Sequence, residues 1–374
     1  MPSGCRTRVL IVDDSAVMRS LLRSVIGSDN GLELAGAAPD GKSALAAIES
    51  LRPDLVLLDV EMPVMDGLAT LRQLRARNTR VPVIMCSSLT QRGAKVTVEA
   101  LAVGASDYVA KPTGHADLGA ASRALAQDLL PKIHALTSKD AAPAAPARRA
   151  SVLSSIAPPS RLAPMPTALS IMVVGVSTGG PAALDVLLPA LPANFPLPVL
   201  VVQHMPEIFT QLLAERLAQR CSLRISEAAE GDPVRPGIIR IARGNWHLEV
   251  IAAARPGQPN TLHLTQNPLE NHCRPAADVL FRTAAQIYSS GVLAVVLTGM
   301  GSDGLAGARL IREQEGAVLA QDQATSTIWG MPGAVVRAGL AHRVLPLASI
   351  APEILQLVGR SHSEARERRE TAVS

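Results

Sequence analysis

Apolar residues in this chain gather into short unbroken runs divided by stretches of helical period, and the pattern appears twice, on either side of a polar gap. In the N-terminal part Arg8–Val12, Leu55–Leu58, Val83–Met85 and Tyr108–Val109 read as strands. Runs that do not alternate suit strands buried on both faces. Helical periodicity lies between them, as over Ser15–Ile26 and Lys42–Leu51. Strand and helix alternating in this way predict a doubly wound parallel sheet. From about Thr137 the periodicity dissolves into alanine, proline and serine, a composition that cannot bury enough surface to offset ordering entropy. Residues 137–168 therefore read as a semi-extended linker. Beyond it, Ile171–Val174, Pro198–Gln203 and Leu293–Leu297 are again buried runs, followed by helical patterns that open at Pro181, span Pro206–Arg220, and pass through Leu310. Gly237–Arg243, His247–Ile251 and Thr261–Thr265 alternate and predict an antiparallel excursion. The fold class is α/β, with two doubly wound parallel-sheet domains at 1–136 and 169–358 and a charged tail, helical or frayed, at 359–374.

Composition narrows this picture. A length of 374 residues favours at least two domains. No run approaches the roughly 20 apolar residues of a membrane span, and the N-terminus lacks a signal peptide's layout. Four cysteines without paired or metal-type spacing point to a reduced, cytoplasmic protein. The formal charge is +4, basic residues are scattered and aromatics are 2%, which argues against nucleic-acid binding. A DNA-binding second domain would need a basic helix-turn-helix after the linker, where this chain is strand-rich.

Chemistry collects at the strand ends, where ligands of doubly wound sheets bind. The first run ends in Asp13 and Asp14, the second in Asp59, the third leads to Ser87 and the fourth to Lys111-Pro112. A lone Asp there would be read as a helix cap. Three carboxylates packed together repel one another unless a hard cation joins them, and Mg²⁺ takes oxygen ligands. Asp59 could then attack a phosphoryl group whose oxygens Mg²⁺ and Lys111 neutralise. On these positions, and on Met62-Pro63-x-x-Asp66-Gly67, residues 8 to about 133 resemble a response-regulator receiver domain. The resemblance implies Asp59 as phospho-acceptor, Asp13 and Asp14 as metal ligands with the Glu61 carbonyl, Ser87 as hydroxyl switch and Lys111 as the phosphoryl-contacting lysine.

The second domain offers Ser177 in Gly175-x-Ser-x-Gly179, on a strand-to-helix turn that suits a nucleophile, a bound phosphate or simply a tight connection. His204 and Asp303 also follow buried runs. Singly, the histidine could be a core residue and the aspartate an N-cap. Together, hydroxyl, imidazole and carboxylate are what serine-based acyl transfer requires. The order Ser, His, Asp differs from that of α/β-hydrolases and predicts a different sheet. Arg274 could contact substrate or form a surface salt bridge. Cys273 reads as structural, and His247 and His263 as strand residues. Gln321–Thr325 and Gly330–Pro332 look like loops near the same edge.

Three motifs, Gly175-x-Ser-Thr-Gly-Gly180, Gln203-His-Met-Pro206 and Leu297-Thr-Gly-Met-Gly-x-Asp-Gly304, make residues 170 to about 358 similar to the catalytic domain of the chemotaxis protein-glutamate methylesterase/protein-glutamine glutaminases, the CheB family. This implies hydrolysis of γ-glutamyl methyl esters, and deamidation of glutamines, on chemoreceptor cytoplasmic helices. Ser177 would be nucleophile, His204 base then acid, and Asp303 the orienting group, with oxyanion donors near Met300 and Thr178 beside the nucleophile. The implied partners are methyl-accepting chemoreceptors and a sensor histidine kinase, with Mg²⁺ in the receiver and no cofactor for hydrolysis. The alternative is an adaptor that binds receptors without turnover.

Overall fold

The computed structural model describes residues 6–88, 90–112, 118–138 and 168–371. The chain divides into two compact units, with the division between Ala141 and Ala142. Most of the linker expected at 137–168 lies outside the described residues. Its first residue, Thr137, closes a helix instead.

The first unit runs β1 (Thr7–Val12), α1 (Ala16–Gly27), β2 (Leu32–Ala38), α2 (Gly41–Leu51), β3 (Leu55–Asp59), α3 (Gly67–Ala76), β4 (Val83–Ser87), α4 (Gln91–Val103), β5 (Asp107–Ala110) and α5 (Leu118–Thr137). Its sheet has the order β2-β1-β3-β4-β5, and every pairing is parallel. β3 is buried along its whole length, as expected of a strand covered by helices on both faces. Helix starts are capped by short polar side chains: Ser15, Asp40, Asp66 and Thr90 each accept a backbone N–H of the first turn.

The second unit contains β6 (Ile171–Val176), α6 (Gly180–Leu187), β7 (Val199–Gln203), α7 (Glu207–Ala218), β8 (Arg224–Glu227), β9 (Ile238–Ile241), β10 (His247–Ile251), β11 (Thr261–Thr265), α8 (Ala277–Tyr288), β12 (Val292–Val296), α9 (Leu305–Glu313), β13 (Ala317–Gln321), α10 (Met331–Arg337), β14 (Arg343–Leu345) and α11 (Leu347–Thr371). Seven strands form one parallel sheet in the order β14-β13-β12-β6-β7-β9-β8. One expectation needs correction here. Gly237–Arg243 is not part of the antiparallel excursion, because β9 lies parallel between β7 and β8. Its Ile239 and Ile241 are fully buried and in register with Val199 and Val201, so the apolar face belongs to the main core. Only β10 and β11 form the antiparallel pair. The tail expected from residue 359 continues α11 as helix to Thr371.

One face of this sheet packs against α8, where Leu280, Phe281 and Ala284 are fully buried. Burying each such large side chain contributes about 1.5–3 kcal/mol. That packing seats the start of α8 beside the carboxyl ends of β12 and β6, where the catalytic candidates lie.

Candidate active site

The hydrolytic candidates sit on three neighbouring strands. β6 lies between β12 and β7. The register pairs Val176 with Gln203, so Ser177 and His204 are the next residues on adjacent strand ends. His204 N donates to Val176 O at 3.2 Å, and Ser177 N donates to Thr298 O at 3.0 Å on the other side. After Ser177 the chain turns at Gly179, whose φ of 78° is left-handed, and α6 begins with Pro181 in its first turn. A side chain at Gly180 would overlap Gln203 Oε1. Gln203 Nε2 donates to Ser177 O at 3.0 Å and to His204 O at 3.5 Å, tying both candidates' carbonyls.

His204 and Asp303 form a dyad: Nε2 lies 2.7 Å from Asp303 Oδ2. Burial of the imidazole works to lower its pKa, but the hydrogen bonds to Asp303 and Cys273 outweigh it and carry it up to about 9. Asp303 is 2% exposed, and burial works to raise its pKa. The bond and charge of His204, with the Ala277 and Asp278 amides, nonetheless hold it below the usual carboxylate range. Those amides open α8 and donate at 2.6 and 3.0 Å, so the carboxylate occupies a helix N-terminus. Gly304 N and Asn271 Nδ2 add two more donors.

Ser177 Oγ makes no hydrogen bond to His204 among the described residues. The imidazole's other nitrogen, Nδ1, lies 3.6 Å from Cys273 Sγ. Serine and imidazole are therefore adjacent through the backbone register, with no hydrogen bond between their side chains. Met300 stands exposed in the loop after β12, and its N–H finds no acceptor among the described residues. Thr178 is buried, and its carbonyl accepts Thr298 Oγ1 at 2.9 Å. Arg274 is committed elsewhere, with Asn245 Oδ1 and the carbonyls of Gln266 and Asn267 accepting from its guanidinium. It makes no salt bridge among the described residues.

In the first unit, ligand atoms of Asp13, Asp14 and Asp59 lie within 4.8 Å of one another. Lys111 Nζ is 2.7 Å from Asp59 Oδ1 and 2.8 Å from Asp13 Oδ2. Burial pushes the Asp59 carboxyl up, against the pull of Lys111. Burial would lower the Lys111 ammonium, yet its bonds to Asp13 and Asp59 leave it above its ordinary value. Glu61 N faces Asp59 Oδ1 at 3.4 Å. Ser87 is buried, and its hydroxyl engages Thr97 Oγ1 at 2.7 Å and Ser88 O at 3.1 Å.

The sequence profile of the CheB methylesterases matches residues 172–354, and that of the response regulator receiver domain matches residues 9–123. A protein-glutamate methylesterase/protein-glutamine glutaminase of Nocardioides sp. is 48% identical, over 94% of this chain and 96% of that protein. Its namesake in Trichodesmium erythraeum is 44% identical, over 94% of this chain and 99% of that protein. The chain belongs to the CheB methylesterase family. It carries the family's receiver and methylesterase domains together.

Set against the CheB motifs, three contacts around the dyad were not anticipated from the sequence. Cys273, read as structural, touches His204. Asn271 bridges to Asp303. Gln321 is the last residue of β13 rather than a loop residue, and its Oε1 accepts Thr298 N at 2.8 Å, supporting the loop that carries Met300. The side chains at 271 and 273 are aimed by two consecutive left-handed residues, Asn271 (φ 52°) and His272 (φ 62°). The remaining candidates, His247 and His263, lie on β10 and β11 as expected.

Proposed function

We propose that this chain is a phosphorylation-activated serine hydrolase that removes methyl groups from γ-glutamyl esters, and deamidates glutamines, on the cytoplasmic helices of chemoreceptors. The observation that carries the reading is the His204–Asp303 pair at 2.7 Å, one strand away from Ser177. The names of the relatives support the substrate class. No helix among the described residues is long and apolar enough to cross a membrane, which accords with a cytoplasmic site of action.

Ser177 Oγ attacks the ester or amide carbonyl and passes its proton to His204 Nδ1, the nitrogen that now faces Cys273. Asp303 holds the Nε2 proton and so keeps Nδ1 as the acceptor. The tetrahedral oxyanion is met by the Met300 N–H of the loop after β12, with Thr178 on the neighbouring turn that follows Ser177. His204 then returns the proton to the departing oxygen or nitrogen, which leaves as methanol or ammonia as the acyl-serine forms, and water repeats the sequence to free the glutamate. Ester and amide pass through the same intermediate, so one site serves both substrates.

In the receiver, Asp59 accepts a phosphoryl group from a sensor histidine kinase. The three clustered carboxylates, with a single lysine against them, fit a hard divalent cation. Asp13, Asp14 and Asp59 would hold Mg²⁺ with the Glu61 carbonyl, and bound Mg²⁺ would neutralise phosphoryl charge. Lys111 would contact the phosphoryl oxygens, and Ser87 would leave Thr97 to do the same. Methanol release from a methylated receptor fragment, with and without acetyl phosphate, tests the whole reading. Ser177→Ala should abolish release, and equal rates would remove Ser177 from the reaction. Receptor binding without release by the wild type would leave an adaptor.

A further inference from the structure

We propose that Asn271 and Asp278 are positioning residues of the hydrolytic site, a carboxamide and a second buried carboxylate that hold Asp303 and so govern when His204 can act as base. This rests on the reading of Ser177, His204 and Asp303 given above. Asp278 lies in the first turn of α8 and is 3% exposed, yet no step of the hydrolysis uses it. Its Oδ1 accepts Gly307 N at 2.6 Å and its Oδ2 accepts Asn271 Nδ2 at 2.9 Å. The same Nδ2 donates to Asp303 Oδ1 at 2.8 Å. An amide nitrogen carries two hydrogens, and here one goes to each carboxylate. The carboxamide thus sets the spacing of two acids that would otherwise repel, and a hydroxyl with its one proton could not do so.

The backbone agrees with this role. Asn271 sits at a φ of 52°, a conformation that asparagine tolerates better than most residues. The charged groups facing Asp278 are Asp303 from the loop before α9 and Glu270 from the segment before α8, with Arg282 on its own helix paired to Glu270 at 2.7 Å. Burial first, and then the neighbouring Asp303, push the Asp278 carboxyl above its ordinary value despite the Gly307 and Asn271 hydrogen bonds. Once ionised, it adds negative charge near the dyad and favours the imidazolium. Asn271 acts oppositely, since its donor spreads the charge of Asp303.

The two substitutions therefore shift the pH profile in opposite senses, which a purely structural role would not do. Asn271→Gly removes the carboxamide while easing the left-handed backbone. In the full-length, acetyl-phosphate-treated enzyme it should lower kcat about tenfold with KM within about twofold. Its acid limb should move to higher pH. Asp278→Asn should move the acid limb to lower pH. The position of that limb is read from the shape of the profile, so a smaller folded fraction does not imitate a shift. An Asn271→Gly profile within about 0.2 unit of wild type, with kcat within about twofold, would overturn the proposal. So would shifts of both variants in the same direction. Ser177→Ala, run in parallel, separates the two readings: if it stays active, the nucleophile assignment falls.

Discussion

Asp303→Asn keeps the shape of the side chain and replaces one acceptor oxygen by a donating nitrogen. Five N–H groups converge on this carboxylate. Asn271 Nδ2, Asp278 N and Gly304 N reach Oδ1 at 2.8, 3.0 and 3.0 Å. His204 Nε2 and Ala277 N reach Oδ2 at 2.7 and 2.6 Å. With the amide oxygen turned toward the three donors, the new NH₂ faces His204 and Ala277. The buried Ala277 N–H then loses its acceptor, at about 1–3 kcal/mol. In a domain of this size that lowers Tm by roughly 2–12 °C. His204 can meet the amide only by offering Nε2 as acceptor, which moves its proton to Nδ1 and leaves no lone pair for the Ser177 proton. The same tautomer error in serine proteases costs about 10⁴ in kcat, and a loss of that order is expected here. Methanol release under saturating substrate, beside a thermal melt of each protein, measures both effects. A kcat within about tenfold of wild type would refute the orienting role of Asp303.

With the imidazole held at about pH 9, the base is mostly protonated at neutrality, so kcat/KM should climb nearly tenfold per pH unit from 7 and level off near 9. A flat profile between pH 7 and 9 would contradict the His204 geometry. Cys273→Ala removes one of the groups that raise His204, so the acid limb should fall to lower pH while kcat stays within about fivefold. A loss beyond about 100-fold would make the thiol a participant in the chemistry. Asp59→Asn should end phosphate incorporation from acetyl phosphate and bring the ratio of methylesterase rates with and without the donor to about one.

What the sequence reveals about this chain largely follows burial, with the buried but alanine-rich β13 as the exception. β3, β6, β7 and β12 are covered on both faces and appear as unbroken apolar runs, so the residues ending them, Asp59, Ser177, His204 and the Thr298 loop, could be placed without coordinates. Other strands carried weaker signals. Edge strands β8 and β14 are short and partly polar, as in Arg224-Ile-Ser-Glu227, and β2 is rich in alanine with a half-exposed middle. β9 alternates as an antiparallel strand would, because it lies near the sheet's edge. Periodicity reports exposure and is silent on strand direction. The contacts around the dyad were hidden for another reason. Side-chain direction at Asn271 and Cys273 depends on φ at 271 and 272, and a regular backbone would have sent both elsewhere. A motif marks which residues can react, whereas the loop that holds them depends on dihedrals with little signature in composition. Of those two residues, Asn271 carried the readable hint, since asparagine ahead of a helix is among the few side chains at ease with a left-handed backbone.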